Sequence, residues 1–183
     1  TNYILFELGQ PLHAFDLNAF AADADGKRHV VVRAAEDGSK FTTLDEVERE
    51  LTHDMAMITD GTSNVALAGV MGGLDSEVTD KTVDVLLESA TFSTAHTSRT
   101  SRNLGLVSES SLRYERGVDA TTCEECSEIA AALIAELGGG TVCQGVVDVY
   151  PVVPAKLELK LRPQRRQPFK LRPLLRLLRF QLF

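Results

Sequence analysis

The chain begins with the sixteen residues TNYILFELGQPLHAFD (1–16). Residues 3–8 form an apolar run of a β-type composition, and the run stops at residues 9–11 (Gly-Gln-Pro), shortly before His13. Because glycine and proline interrupt strands, we predict a strand at 3–8 and place His13 in a site at its end, outside the core. A strand that starts at the first residues also predicts that the chain is a piece of a larger protein.

The composition is that of an ordinary globular domain. The chain has 183 residues, of which 44% are hydrophobic and 25% charged, so it is long enough for one domain with a real core. No apolar run approaches the roughly 18 residues that a membrane helix needs, and no secretory leader is recognisable. We therefore expect a cytoplasmic protein with no membrane partner.

The formal net charge of -7 is divided unevenly along the chain. Residues 156–183 hold nine of the 19 basic residues and one of the 26 acidic residues, which leaves ten basic and 25 acidic residues in 1–155. A body this acidic has no broad basic surface for nucleic acid. Any nucleic-acid contact is expected to be local, or to come from another domain or subunit.

The cysteines predict neither a redox motif nor a metal site. Cys123 and Cys126 have the C-x-x-C spacing, but the two glutamates between them would raise the thiol pKa, and a redox cysteine needs the opposite. No second pair is present to complete a zinc site. We predict that both cysteines are structural residues at the start of a helix.

Apolar patterning predicts strands in the first half of the chain and helices in the second. Five short apolar runs predict strands, and they are 30–34, 56–59, 65–68, 83–87 and 146–150. The turn signal at Asp60-Gly61 predicts that 56–59 and 65–68 form a hairpin. Helices are predicted at 93–102, where Ser93 is the N-cap, and at 121–137, and residues 108–113 are predicted to form a short helix or a turn. The expected fold class is therefore α+β, with sandwich-like β-sheet layers and helices packed against them.

The organisation along the chain predicts one domain, residues 1–155, followed by the start of another. Residues 157–161 alternate as a strand within a short entry segment, 156–163. From residue 164 the composition narrows to Leu, Arg, Pro, Gln, Lys and Phe. Two interpretations of 164–183 stay open, namely a basic amphipathic helix for a membrane surface or an RNA, and a frame-shifted or truncated end, which the composition favours.

Polar residues at strand ends point to a small-ligand pocket. A glycine-rich break lets a ligand lie against bare backbone, and a carboxylate that ends an apolar strand is costly to bury unless it binds a cation or an ammonium group. Serines after a loop can donate hydrogen bonds or position a water molecule. The candidates are Asn2 with His13, residues 69–73 (GVMGG), Glu88, and residues 108–111 (SESS).

Four segments carry a resemblance to a known family. They are 8–16 (LGQPLHAFD), 68–73 (AGVMGG), 86–90 (LLESA) and 113–119 (RYERGVD). In this order and spacing they resemble the central editing domain of the β subunit of bacterial phenylalanine–tRNA ligase, over residues 1 to about 163. The resemblance ends after 160–163 (KLRP), which is similar to the family's entry into its next domain.

The resemblance implies hydrolysis of mischarged Tyr-tRNA(Phe). A hydrophobic pocket for phenylalanine cannot strongly reject an isostere that only adds a hydroxyl, so a second site must remove tyrosine. The implied catalytic residues at the ester are His13 and Asn2. Glu88 would bind the phenol hydroxyl or another polar group of the tyrosyl moiety. The other implied pocket residues are Gly69 and Gly72, which would present backbone to the ligand, and Ser108 and Ser110, where the family often has threonine and alanine.

The resemblance also implies partners and cofactors. The family's enzyme is an α2β2 tetramer that attaches phenylalanine to tRNA(Phe), with the aminoacylation site on the α subunit. It uses ATP and Mg²⁺, and this domain would hold neither cofactor and no metal. A different class of function stays open: the domain would be a non-catalytic module that positions tRNA or contacts another subunit.

Overall fold

A computed structural model describes residues 1–153 and confirms the α+β fold class. The four helices are α1 (Asn2–Leu8), α2 (Thr94–Leu104), α3 (Glu109–Tyr114) and α4 (Cys123–Gly138). The eight strands are β1 (Leu12–Asp16), β2 (Val31–Ala34), β3 (Lys40–Thr42), β4 (Glu48–Glu50), β5 (Ala56–Thr59), β6 (Asn64–Leu67), β7 (Met71–Gly72) and β8 (Val85–Ser89).

The strands form three antiparallel sheets. The largest has the order β2-β5-β6-β7, and the other two are the pairs β1-β8 and β3-β4. The predicted hairpin is confirmed, because β5 and β6 pair with Met57 opposite Leu67. In its turn the Asp60 carboxylate accepts backbone N–H groups; although burial opposes ionisation, these bonds lower the pKa of Asp60 to about 2.

The β1-β8 ribbon has packing partners on both faces, and this arrangement decides which way its polar side chains point. On one face Leu12 packs with Cys126 and Ala130 of α4, and the Ser89 hydroxyl donates to the Cys123 carbonyl at 2.7 Å. On the other face Phe15 joins a core of residues from β5, β6 and their surroundings, namely Phe20, Ile58, Val65, Ala66 and Ala68. Because side chains alternate between the two faces of a strand, His13 points to the same face as Phe15, toward the four-stranded sheet.

Residues 2–8 are a helix, so the predicted strand at 3–8 is wrong. Ile4 and Leu5 are buried, and Ile4 packs against Ala130 of α4. Gly9 ends the helix in the left-handed conformation (φ 80°), and its N–H donates to the Leu5 carbonyl. A glycine at this position is a helix C-terminal signal as well as a strand breaker, and tertiary packing against α4 decides between the two.

The predicted helices are confirmed within a few residues at their ends. The Ser93 side chain caps α2 by accepting the His96 N–H, and Gly139 ends α4 with φ 67°. Cys123 begins α4 and Cys126 is buried, as the structural interpretation of the cysteines predicts. No helix in residues 1–153 is long and apolar enough to cross a membrane.

Residues 146–150 have no regular secondary structure, so the predicted last strand is wrong. Val147 and Val149 are 95% and 81% exposed, and no strand among the described residues pairs with them. They follow the compact unit Thr1–Cys143, and residues 144–153 belong to a second unit. The predicted strand at 157–161, the entry segment 156–163 and the tail 164–183 lie outside the described residues.

Candidate functional site

A cavity of about 350 Å³, its open mouth included, lies between the β1-β8 ribbon and the edge of the four-stranded sheet. The enclosed part of this space is about 50 Å³, and most of the remainder belongs to the open mouth. Most of its lining residues are apolar, and the surface they expose to the cavity is divided about evenly between polar and apolar atoms. The lining residues are Pro11, Leu12, His13, Ile58, Ala66, Leu67, Gly69, Val70, Met71, Gly72, Glu88, Phe92, Ser110 and Tyr114.

His13 and Glu88 are directly opposite one another on neighbouring strands. The antiparallel register of β1 and β8 pairs them, and both residues line the cavity. Side chains of such a pair project from the same face of the sheet, with Cβ atoms about 4.5–5.5 Å apart. Two residues that are 75 positions apart in the sequence thus form one side of the cavity together.

Glu88 is a carboxylate with no protein partner. It lies deep in the domain and keeps partial exposure through the cavity, while no hydrogen bond or ion pair within residues 1–153 reaches its side chain. Burial, which disfavours the charged form, raises the pKa of Glu88 to about 7. A carboxyl group with this pKa is half ionised near neutral pH and can accept a hydrogen bond from a ligand in either state.

His13 is largely enclosed, and its imidazole is neutral near pH 7. Burial lowers the pKa of His13, and no group in the described chain hydrogen-bonds to its Nε2 atom. The ring packs edge-on against Phe15, with ring centroids 4.4 Å apart. A neutral imidazole can accept a proton from a water molecule that attacks a bound ester.

At Gly69 and Gly72 an aromatic ring of the cavity occupies the space that a side chain would need. A Cβ at Gly72 would lie 2.5 Å from His13 Nε2, and a Cβ at Gly69 would lie 2.8 Å from the ring of Phe92. Gly69 also has φ +70°, a conformation that favours glycine. In this structure both glycines therefore allow close packing of rings, and their predicted contact with a ligand stays a prediction.

Replacing Gly72 by alanine is expected to displace His13 and to lower the free energy of unfolding by about 1–3 kcal/mol, the usual effect of overpacking. Gly138 is the matched control, because a Cβ there meets no atom within 4 Å and the residue ends α4. Gly138→Ala should be neutral or stabilising by up to about 1 kcal/mol. Urea unfolding of both variants checks this, and equal stabilities would contradict the assigned role of Gly72.

The two predicted serines have different surroundings. Ser108 is the N-cap of α3, since its hydroxyl accepts the Ser111 N–H at 3.0 Å, and it donates to the Val70 carbonyl at 2.7 Å. It thereby ties α3 to the cavity wall without lining the cavity. Ser110 lines the cavity, and its hydroxyl has no hydrogen-bond partner within residues 1–153. Ser110 is thus the serine available to a ligand.

Asn2 lies apart from this cluster. It is the exposed first residue of α1 and is not among the cavity residues, whereas His13, Glu88, Gly69, Gly72 and Ser110 all are. Its role at the ester stays a prediction from the resemblance. The described part of the chain has no group of three His, Cys, Asp or Glu side chains that could hold a metal ion together.

Two aromatic residues of the cavity were not among the predicted site residues. Phe92 and Tyr114 meet edge-to-face, with ring centroids 5.0 Å apart, and both line the cavity. Burial and the nearby charge of Glu88 raise the pKa of Tyr114 far above its ordinary value. Helical spacing could have indicated Tyr114 as a cavity residue. Tyr114 follows Ser110 by four residues, so the two lie on the same face of α3.

Comparisons of the sequence with known proteins identify the family of the chain. The model of the B3/4 domain family matches residues 1–139, and the chain therefore belongs to this family. It is similar to the phenylalanine–tRNA ligase beta subunits of Salinibacter ruber (50% identity over 165 residues, 90% of this chain) and Geobacter sulfurreducens (48% over 165 residues, 90%). The corresponding subunit of Bacillus cereus is 53% identical over 148 residues, 81% of this chain.

These relatives are much longer than the chain. The matched region covers 19%, 20% and 18% of the three beta subunits, so the chain spans about a fifth of their length. The resemblance to the β subunit of phenylalanine–tRNA ligase, which four sequence segments carried, is confirmed. Residues 1–139 of the chain correspond to the B3/4 domain.

Proposed function

We propose that this cavity is an editing site, which hydrolyses the ester of tyrosine wrongly attached to tRNA(Phe). The observation that carries the proposal is the Glu88 carboxyl, which has no hydrogen-bond or ion-pair partner within residues 1–153 and lies opposite His13 in a cavity lined mostly by apolar residues. An unpartnered buried carboxyl is unfavourable unless a ligand completes its hydrogen bonds. A phenol is a ligand that matches one acidic acceptor within apolar and aromatic walls.

We assign the phenol hydroxyl, rather than the ammonium group, to Glu88. Because the pKa of Glu88 is about 7, the carboxyl is protonated in half of the molecules near neutral pH. An ammonium group would need the ionised form, whereas a phenol can donate to the carboxyl in both protonation states. Phenylalanine has no hydroxyl to donate and would leave the carboxyl unpaired, and this difference would make the site selective.

The hydrolytic step needs little from the protein beyond placement. A water molecule attacks the ester carbonyl carbon, the bond to the ribose oxygen breaks, and the 3′-terminal hydroxyl of the tRNA regains a proton. His13 is the group that would take the proton from water, since burial keeps its imidazole neutral. An aminoacyl ester is already reactive, so holding water and ester together supplies much of the rate.

The proposal includes the larger enzyme to which the domain would belong. That enzyme would attach phenylalanine to tRNA(Phe) with ATP and Mg²⁺ at a site on the α subunit, in an α2β2 assembly. The acidic character of residues 1–155 supports a tRNA contact made mainly by other domains. This domain would act on the aminoacyl end after transfer.

The test is the accumulation of Tyr-tRNA(Phe) by the full-length β subunit carrying this domain, paired with its α subunit. With tyrosine in excess, the wild type should accumulate almost none. A variant with both His13→Ala and Glu88→Ala should accumulate Tyr-tRNA(Phe) while it charges phenylalanine normally. Equal accumulation by both enzymes would contradict the proposal.

That second outcome would favour the alternative, a non-catalytic module that positions tRNA or contacts another subunit. The observation behind this alternative is Ser110, whose unpartnered hydroxyl adds a second polar group to the cavity wall. A second hydroxyl near the phenol weakens the contrast between tyrosine and phenylalanine. Intact aminoacylation by the double variant with no change in Tyr-tRNA(Phe) is the result that this function predicts.

A further inference from the structure

A buried hydrogen-bond cluster lies next to the cavity and has no role in the proposed chemistry. Its centre is the side chain of Gln10, which is 1% exposed and does not line the cavity. Gln10 Nε2 donates to the carbonyls of Pro11, at 3.0 Å, and of Ala90, at 2.9 Å. The Tyr114 hydroxyl reaches the same two carbonyls at 3.2 and 3.0 Å.

Each of the three donor hydrogens of this cluster has a carbonyl acceptor within reach. The Gln10 amide supplies two N–H groups and the phenol supplies one O–H, while each carbonyl oxygen has two lone pairs. The Cys123 thiol donates to Gln10 Oε1 at 3.7 Å, which fixes the orientation of the amide. The cluster is therefore one satisfied network between the two strands, and such networks hold a single arrangement in place.

The network lies where the β-ladder cannot continue. The register that pairs Leu12 with Ser89 would next place Pro11 opposite Ala90, and proline has no N–H to donate. The side chains of Gln10 and Tyr114 bridge the carbonyls of Pro11 and Ala90 in place of the missing backbone hydrogen bond. The connection therefore holds the two strands together at the end of the ribbon where the ladder of backbone hydrogen bonds stops.

The network also connects the ribbon to α3. Pro11 is two residues from His13, and Ala90 is two residues from Glu88. Tyr114 lies one helical turn after Ser110 on the cavity face of α3. The same hydrogen bonds thereby set the spacing of the two strands at the His13–Glu88 pair and the approach of α3 to them.

We infer that Gln10 and Tyr114 are positioning residues for the hydrolysis, holding His13 and Glu88 at the separation that the reaction needs. This inference rests on the proposed editing function. Neither side chain donates to the ester in this scheme, and both act through the strands. Displacement of a reacting group by about 1 Å can lower a rate about a hundredfold.

The test uses the full-length β subunit carrying this domain, paired with its α subunit, and preformed Tyr-tRNA(Phe) as the substrate. Gln10→Met removes both N–H donors at a residue outside the cavity, and Tyr114→Phe removes one oxygen while keeping the ring against Phe92. Each variant should lower kcat for hydrolysis by about 10- to 100-fold, with KM and phenylalanine charging unchanged. Tyr3→Phe is the matched control, because Tyr3 is 66% exposed, and it should match the wild type.

The outcomes separate this inference from the function on which it rests. An active wild type with unchanged kcat in both variants would overturn the inference alone. A rise in KM at constant kcat, or a parallel loss of phenylalanine charging, would also overturn it, because these results indicate ligand binding or a general structural role. A wild type that does not hydrolyse Tyr-tRNA(Phe) would overturn the proposed function and this inference with it.

Discussion

Replacing Glu88 by alanine should lower the rate of Tyr-tRNA(Phe) hydrolysis by about 10- to 100-fold. The reason is the loss of one hydrogen bond to an ionisable partner, which contributes about 1.5–3 kcal/mol, and each 1.4 kcal/mol corresponds to a factor of ten. Among residues 1–153, Glu88 is the only one with a carboxyl group in the cavity wall. The measurement is single-turnover hydrolysis of preformed Tyr-tRNA(Phe) by the full-length enzyme.

Two further variants identify the role of the carboxyl in this experiment. Glu7→Ala removes an exposed carboxylate outside the cavity and should leave the rate unchanged. Glu88→Gln keeps an acceptor for the phenol but cannot pair with an ammonium group, so it should retain much more activity than Glu88→Ala. Equal and large losses in the glutamine and alanine variants would contradict the assignment of the phenol to Glu88.

Glu88→Gln is also expected to stabilise the chain at alkaline pH. The folded-state pKa of Glu88, about 7, is raised above the ordinary value of 4.5, so the folded protein keeps this proton to a higher pH. The contribution of the protonated Glu88 carboxyl to the free energy of unfolding is therefore fully present below about pH 4.5. It is lost as the pH rises through about 7. The shift corresponds to about 3 kcal/mol, an energy that a neutral glutamine does not lose.

The stability difference between Glu88→Gln and the wild type should therefore grow by about 2–3 kcal/mol from about pH 5 to about pH 9. Urea unfolding of the 183-residue chain at several pH values measures it. Glu7→Gln is the control and should show no such trend, because Glu7 is exposed. A pH-independent difference at Glu88 would show that its carboxyl is well solvated, which would remove the main support for the editing pocket.

The sequence predicted the parts of the fold that local patterns decide. The β5-β6 hairpin has an Asp-Gly turn between two apolar runs, and α2 and α4 have a cap or a clear helical period, so all three were confirmed. The predictions of a strand at 3–8 and of a strand at 146–150 were wrong. An apolar run of this length does not by itself distinguish a strand from a helix or from a segment without regular structure. Packing against α4 decides the first case, and the lack of a strand partner among the described residues decides the second.

The sequence allowed the residues of the site to be predicted, but not their arrangement in space. Motif segments selected His13, Glu88 and Ser110, which the structure brings into one cavity. The β1-β8 pairing that places His13 opposite Glu88 joins residues 75 positions apart, and no local signal carries such a register. For the same reason the cluster around Gln10 could not be predicted, since its acceptors are backbone carbonyls of two distant segments.

The most direct test of the central claim compares two preformed substrates on the wild-type enzyme. The full-length β subunit carrying this domain, paired with its α subunit, would be mixed with Tyr-tRNA(Phe) and, separately, with Phe-tRNA(Phe). The claim predicts hydrolysis of the tyrosyl ester at least about tenfold faster, because only tyrosine offers a hydroxyl to the unpartnered Glu88 carboxyl. Equal rates for the two esters, or no hydrolysis of either, would contradict it.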